Sequence, residues 1–318
     1  MAILIRPPGH RLKKRRKSVT AQQVLERLEK YLNENTDEPV EMLCGFWKDQ
    51  QDAITYQELR EAVKDGYLDE SIFREWSQDY SVMMLEKMVP IWTASMEAGA
   101  MAQPIITPLE FSFDTQTPGV LNWINTRGGN FVTSCTRDQR QAIAALLQKK
   151  ITEQYTIDEL ARLIRPCIGL TKDQAKATSR LYDHVKATLE KDHPRMKRES
   201  IRKKAVDAAV KYAEKQHRQR AFTIAQTEMA FSYNRGADEG VRQAMNANLL
   251  GVCAKKWCTS GDDQVCPTCA ALDGTIIEMD QEFGFKGRIL FPGHKQLPPA
   301  HPRCGCAVEY IEISPPVF

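Results

Sequence analysis

Six of the nine cysteines of this 318-residue chain fall in its last 66 residues, and their spacing limits what that end can fold into. Cys44, Cys135 and Cys167 stand alone. The others gather around Cys266-Pro-Thr-Cys269 and His301-Pro-Arg-Cys304-Gly-Cys306, with Cys253 and Cys258 upstream in a looser pair. A C-x-x-C turn lets two thiolates converge on one ion at about 2.3 Å, and Pro267 restricts that turn in advance. If 304–308 is a strand, Cys304 and Cys306 share a face because strand side chains alternate. The two knuckles offer five candidates for a tetrahedral site. Cys266, Cys269 and Cys304 are the first choices, and the fourth ligand is Cys306 or His301. Ordinary buried thiols and disulfides are the competing readings. An odd cysteine total in a chain read as folding in a reducing cytoplasm favours a structural zinc over a disulfide framework.

That compartment follows from what the sequence lacks. No apolar run approaches the roughly 20 residues needed to cross a bilayer, and the short apolar start precedes its basic cluster, the reverse of a secretory signal. No membrane association is therefore expected. Neither H-E-x-x-H nor H-x-E occurs among the six histidines, which leaves zincin and deaminase chemistry without its general acid or base. P-loop, G-x-G-x-x-G and G-x-S-x-G are missing as well. The one enzymatic alternative is a zinc-stapled, DNA-acting nuclease in which His294 or His301 serves as general base.

The rest of the chain reads as helical. Thr20 with Gln23, Thr55 with Glu58, Thr136 with Gln139, Thr156 with Glu159 and Thr171 with Gln174 have capping-box spacing, and each precedes an apolar pattern of helical period. Val24, Leu28 and Tyr31 share one face, as do Ile143, Leu146 and Leu147, and Leu160, Leu163 and Ile164. The longest helix is predicted over Glu199 to Asn234 on Val206, Val210, Ala213, Ile224 and Phe231, with Gly236 as its stop. Prolines and glycines between 102 and 130 predict an extended crossing. Beyond Gly251, short β-type runs separated by Gly and Asp turns predict a small β unit.

The formal net charge of +3 conceals three blocks. Residues 1–20 hold seven bases and no acid: Arg6, Arg11, Lys13, Lys14, Arg15, Arg16 and Lys17. Residues 21–110 hold 18 acids against seven bases, and Arg195 to Arg220 ten bases against three acids. The arm is a polyanion-binding footprint for double-stranded DNA or an acidic protein surface, without sequence specificity. The acidic block is expected to face protein.

AFTIAQTEMAFSYNRGADEG (221–240), KKWCTSGDDQVCPTCAALDG (255–274) and LPPAHPRCGC (297–306) together resemble the head morphogenesis domain of tailed bacteriophages, the family of the Mu F protein and the SPP1 minor head protein. The matching positions are Ile224, Ala225, Thr227, Glu228, Asn234, Gly236, Trp257, Asp262, Asp263, Cys266, Cys269, Leu272, Asp273, Gly274, His301, Pro302, Cys304 and Cys306. Gln226 stands where arginine is frequent, and Gly305 replaces the usual arginine between the last cysteines. The resemblance implies a minor virion protein at the portal and inner capsid, acting in head assembly and in DNA packaging or delivery. Glu228 is read as structural, accepting from Asn234, Arg235 or the loop around Trp257, with a catalytic carboxylate as the alternative. Trp257 is read as a core anchor.

The expected chain is thus α+β and mostly helical, with a zinc-stapled β-containing unit at the C-terminus and no catalytic role. Its parts are a basic arm (1–20), an acidic helical region (21–110), a linker (111–130), the helical part of the head domain (131–250) and the β unit (251–318). Partners are the portal protein, the major capsid protein and DNA, in the head interior or at the portal vertex.

Overall fold

A computed structural model describes residues 18–62, 70–107, 111–153, 155–262, 264–284 and 297–315; Arg6 to Lys17, Asp263 and His294 lie outside them. Within the described residues the helices are α1 (Val19–Asn35), α2 (Asp37–Ala53), α3 (Tyr56–Ala62), α4 (Glu70–Met101), α5 (Pro118–Glu153), α6 (Ile157–Cys167), α7 (Lys172–Asp192), α8 (Arg198–Asn246) and α9 (Pro267–Leu272). The strands β1 (Val252–Cys258), β2 (Ile276–Glu278) and β3 (Ala307–Ser314) form an antiparallel sheet in the order β2-β1-β3. No described helix is long and apolar enough to cross a membrane.

Local chemistry explains most of the helix starts. Reciprocal capping boxes open α6 at Thr156 and Glu159 and α7 at Thr171 and Gln174. Thr55 and Glu58 exchange the same pair of bonds before α3, at 2.7 and 3.2 Å. Two expected boxes do not form. Ser18 caps α1, two residues before Thr20, by accepting from the Ala21 N–H at 3.2 Å. Thr136 and Gln139 lie inside α5, which runs unbroken to Glu153. Of the expected crossing over 102–130, the described residues 102–107 and 111–117 are turn and coil, and helix resumes after Thr117. Pro118 sits at a helix start, where its missing N–H costs nothing, and α5 continues through Gly128 and Gly129.

Helix α8 is the axis of the molecule. It passes Gly236 and ends at Asn246, 49 residues in all. Gly236 is not a stop: a Cβ there would overlap the backbone of Met96 on α4, and one at Gly99 would overlap the backbone of Tyr233 on α8. The two helices cross with their backbones in contact, which only glycine permits. The acidic N-terminal helices share cores with this axis. Val40, Leu43, Trp47, Met88 and Trp92 pack with Ala221 and Ala225, while Val24 and Leu28 pack with Met229, Tyr233 and Ala307. Toward its N-terminus α8 buries Ala205, Ala209 and Ala213, leaving Val206 and Val210 half-buried, because the smaller side chains admit α7 closely.

A charged lattice clamps the sheet to α8. Asp238 accepts from Arg242 Nε at 2.8 Å and from the Tyr310 hydroxyl at 3.1 Å. Arg242 and the fully buried Lys255 both donate to the Met279 carbonyl at 2.8 Å. Buried charges persist only when partnered in this way. At the other face of the sheet, Glu309 on β3 accepts from Lys256 across the strands at 2.8 Å and from Ser18 at the start of α1.

Candidate metal centre

Cys266 is the N-cap of α9, its sulfur accepting from the Cys269 N–H at 3.4 Å, with Pro267 in the first helical turn. The C-x-x-C segment is therefore a helix start that turns both sulfurs the same way. The second knuckle is a tight turn in which the Cys304 N–H returns to the His301 carbonyl at 3.2 Å. Strand β3 begins only at Ala307, so Cys304 and Cys306 converge through this turn and not through strand alternation.

All five predicted residues meet around Cys269. Cys266, Cys269 and His301 form one group whose ligand atoms lie within 4.8 Å of one another, and Cys269, Cys304 and Cys306 form a second. Cys269 Sγ is 3.7 Å from Cys304 Sγ and 3.5 Å from His301 Nε2. A tetrahedron with zinc–sulfur bonds of about 2.3 Å and zinc–nitrogen bonds of about 2.05 Å has edges of about 3.8 and 3.6 Å. Those two separations fit a tetrahedral metal site of that size. His301 Nδ1 is 3.0 Å from the Pro302 carbonyl, to which it can only donate, so on losing its other proton the ring would present an Nε2 lone pair to an ion among the sulfurs.

Without an ion, the cluster holds protons in its place. Hydrogen bonding to Cys269 and Cys304 pushes His301 up to about 11. Bonds from Cys269, Cys306 and His301 hold the Cys304 thiol well below its ordinary value, while hydrogen bonds with Cys269 and Cys304, together with burial, drive Cys306 upward. Such a cluster cannot shed all its protons without a cation to replace them. Cys253 and Cys258, the looser pair, lie on β1 outside both groups, and burial raises them to about 11 and about 12.

The long helix holds the centre in place. Thr227 Oγ1 accepts from the Arg303 N–H at 3.1 Å, which steadies a left-handed residue (φ 58°) between His301 and Cys304. Asn234 donates to the Cys306 carbonyl at 3.3 Å. Glu228, expected to accept from Asn234, Arg235 or the Trp257 loop, instead forms a two-pronged ion pair with Arg127 on α5, Nε to Oε2 being 2.7 Å. Arg127 also stacks over Phe231 at 4.3 Å. This partner was missed because 101 residues separate it from Glu228, and α5 at that point had been read as linker. Trp257 is fully buried, edge-on to Phe283 at 5.0 Å, in one cluster with Cys269, Cys304 and Cys306. Asp273 accepts the Thr259 N–H at 3.0 Å, and Gly274 (φ 79°) makes the left-handed turn into β2.

Of the two histidines offered for the nuclease alternative, His301 turns its Nε2 toward Cys269, and His294 lies outside the described residues. A sequence model of the family described as Phage Mu protein F like protein matches residues 141–309, from within α5 to within β3. No curated protein and no solved structure gives a significant match.

Proposed function

The chain belongs to the family of the Phage Mu protein F like protein, and from that premise we propose that it is a minor head protein of a tailed phage. In this reading it sits at the portal vertex or in the head interior, contacts portal and major capsid proteins, and serves head morphogenesis and the packaging or delivery of DNA. The observation that carries it is the extent of the match, which takes in the α8 axis, Thr227, Glu228, Asn234 and both cysteine knuckles as one unit. Cys269 and Cys304, with two of Cys266, Cys306 and His301, would hold a structural zinc. Bound there, the ion supplies cross-linking of the two knuckles and no turnover, since four protein donors leave no position for water. The basic arm, Arg6 to Lys17, would lie against the genome.

The test is to tag the chain in an infected host and purify assembled heads. The tag should be found in heads and should bring portal protein with it after the shell is dissociated. Heads that assemble and package while containing none of the tagged chain would refute the reading.

A further inference from the structure

Where α7, α8 and the second knuckle meet, an open groove of about 1040 Å³ is lined by Lys211, Lys215, Arg218 and Arg303, with Phe222 in its wall and Glu214 as its acid. All four cations are exposed, and none has an ion-pair partner among the described residues. The neighbouring cavity, about 480 Å³, also carries arginines, but Arg127 is taken by Glu228 and Arg220 by Asp138. Arg220 lines the groove as well as that cavity and is held by Asp138, whereas the other four cations of the groove have no ion-pair partner among the described residues.

Their arrangement is linear. At about 100° per residue, Lys204, Lys211, Lys215, Arg218 and Phe222 fall within a stripe about 60° wide on α8, and from 204 to 222 that stripe is about 27 Å long. A single phosphate or nucleotide would engage one or two of these groups. A polymer with a charge on each strand every 3.4 Å or so engages all of them. Protein partners are recognised through apolar and aromatic anchors at the centre of an interface. Here the aromatic ring of the groove lining, Phe222, has the Arg303 guanidinium over it, 5.1 Å from its centroid, so the cation already occupies that face.

We propose that this groove is a second, arm-independent docking site for the phosphate backbone of double-stranded DNA, with Lys211, Lys215, Arg218 and Arg303 as its contacts. This rests on the reading of the chain as a head protein that meets the genome. It narrows the basic stretch 195–220, which the sequence set beside the arm as a possible DNA contact, to a rigid site fixed to the metal unit through Arg303.

The experiment measures anisotropy of a labelled 20-base-pair duplex with the full chain between 50 and 200 mM NaCl. Four variants are compared: wild type, the groove variant (K211Q, K215Q, R218Q and R303Q), the arm variant (all seven arm bases to Gln) and a two-site variant (K211Q and K215Q). Each cation neutralising a phosphate contributes about 0.9 to the slope of log affinity against log salt. The groove variant should therefore have a slope shallower by about 3.6 than wild type, equivalent to a salt-induced loss of affinity about 150-fold smaller across that range. The two-site variant should lie near half that change, and the arm variant should still bind with the groove's share of the slope. A groove variant with the wild-type slope and unchanged zinc content overturns the proposal, as does an arm variant that no longer binds duplex. Portal co-purification is read separately: its failure strikes the head reading, whereas loss of the groove's salt dependence strikes only this one.

Discussion

The crossing of α4 and α8 can be tested by setting helix propensity against backbone contact. Replacing a glycine inside a helix by alanine ordinarily stabilises by about 0.8–1.0 kcal/mol. At Gly236 the new Cβ would meet the Met96 carbonyl oxygen and backbone carbons, atoms that no side-chain rotation can move. Forcing a methyl group into such a contact costs about 1–3 kcal/mol, and overlap with backbone places it at the upper end. The contact should win, and Gly236→Ala should lose about 1–2 kcal/mol net of the propensity gain. Gly129 on α5 is the control, helical and exposed with nothing within 4 Å of a built Cβ. Gly129→Ala should gain about 1 kcal/mol. With a urea slope of about 3 kcal/mol per M, the midpoints should move by about 0.3 M upward for Gly129→Ala and 0.3–0.7 M downward for Gly236→Ala. Equal stabilisation by both changes would show that α4 and α8 do not touch through their backbones.

Three further outcomes follow from the buried charges and the thiols. Glu228→Ala should cost about 3–5 kcal/mol because it strands Arg127, and Arg127→Met with Glu228→Leu should recover most of that in a urea midpoint comparison. His217 donates to the Ile168 carbonyl at 2.7 Å, and burial holds it down to about 4 from 6.5. It stays neutral when folded but takes a proton when unfolded, so its contribution is complete above pH 6.5 and lost as pH falls toward 4. The loss is about 3 kcal/mol, and the stability difference between wild type and His217→Gln should shrink by that amount between pH 7 and 4. Cys269→Ser should reduce zinc from about one per chain to near none by elemental analysis, whereas Cys253→Ser should retain it, since Cys269 belongs to both ligand groups and Cys253 to neither.

What could be read beforehand was what local chemistry decides. Thr156 with Glu159 and Thr171 with Gln174 close within one turn of chain, so spacing suffices to find them. The cysteine knuckles are legible for the same reason, each being a turn of three or four residues. Thr136 with Gln139 has the same spacing and fails because the chain before it is already helical, and a cap needs an N–H left free by a helix beginning. Gly236 was misread because periodicity says that a residue lies on a helix but not what crosses it. Its meaning depends on Gly99, far away in sequence. Arg127 was hidden behind prolines and glycines that suggested a linker. Pro118 stands at a helix N-terminus and Gly128 fits against Leu85, so neither interrupts α5.

Arg303 joins the parts of this molecule that were read separately. Its neighbours in sequence are candidate ligands, its N–H is held by Thr227, and its guanidinium covers Phe222 at the rim of the basic groove. Its left-handed backbone costs about 1–2 kcal/mol outside such a frame. Two restraints hold that conformation: Thr227 from the α8 side and, in the proposed zinc form, ligation of the flanking residues from the other. Removing the metal leaves only the hydroxyl, and a lone hydrogen bond of about 1 kcal/mol is no larger than the strain it opposes. The groove's fourth cation is therefore tied to the state of the metal centre, while Lys211, Lys215 and Arg218 are fixed by α8 alone. Thr227 thus does for Arg303 what Asn234 does for Cys306: each fastens the second knuckle to α8.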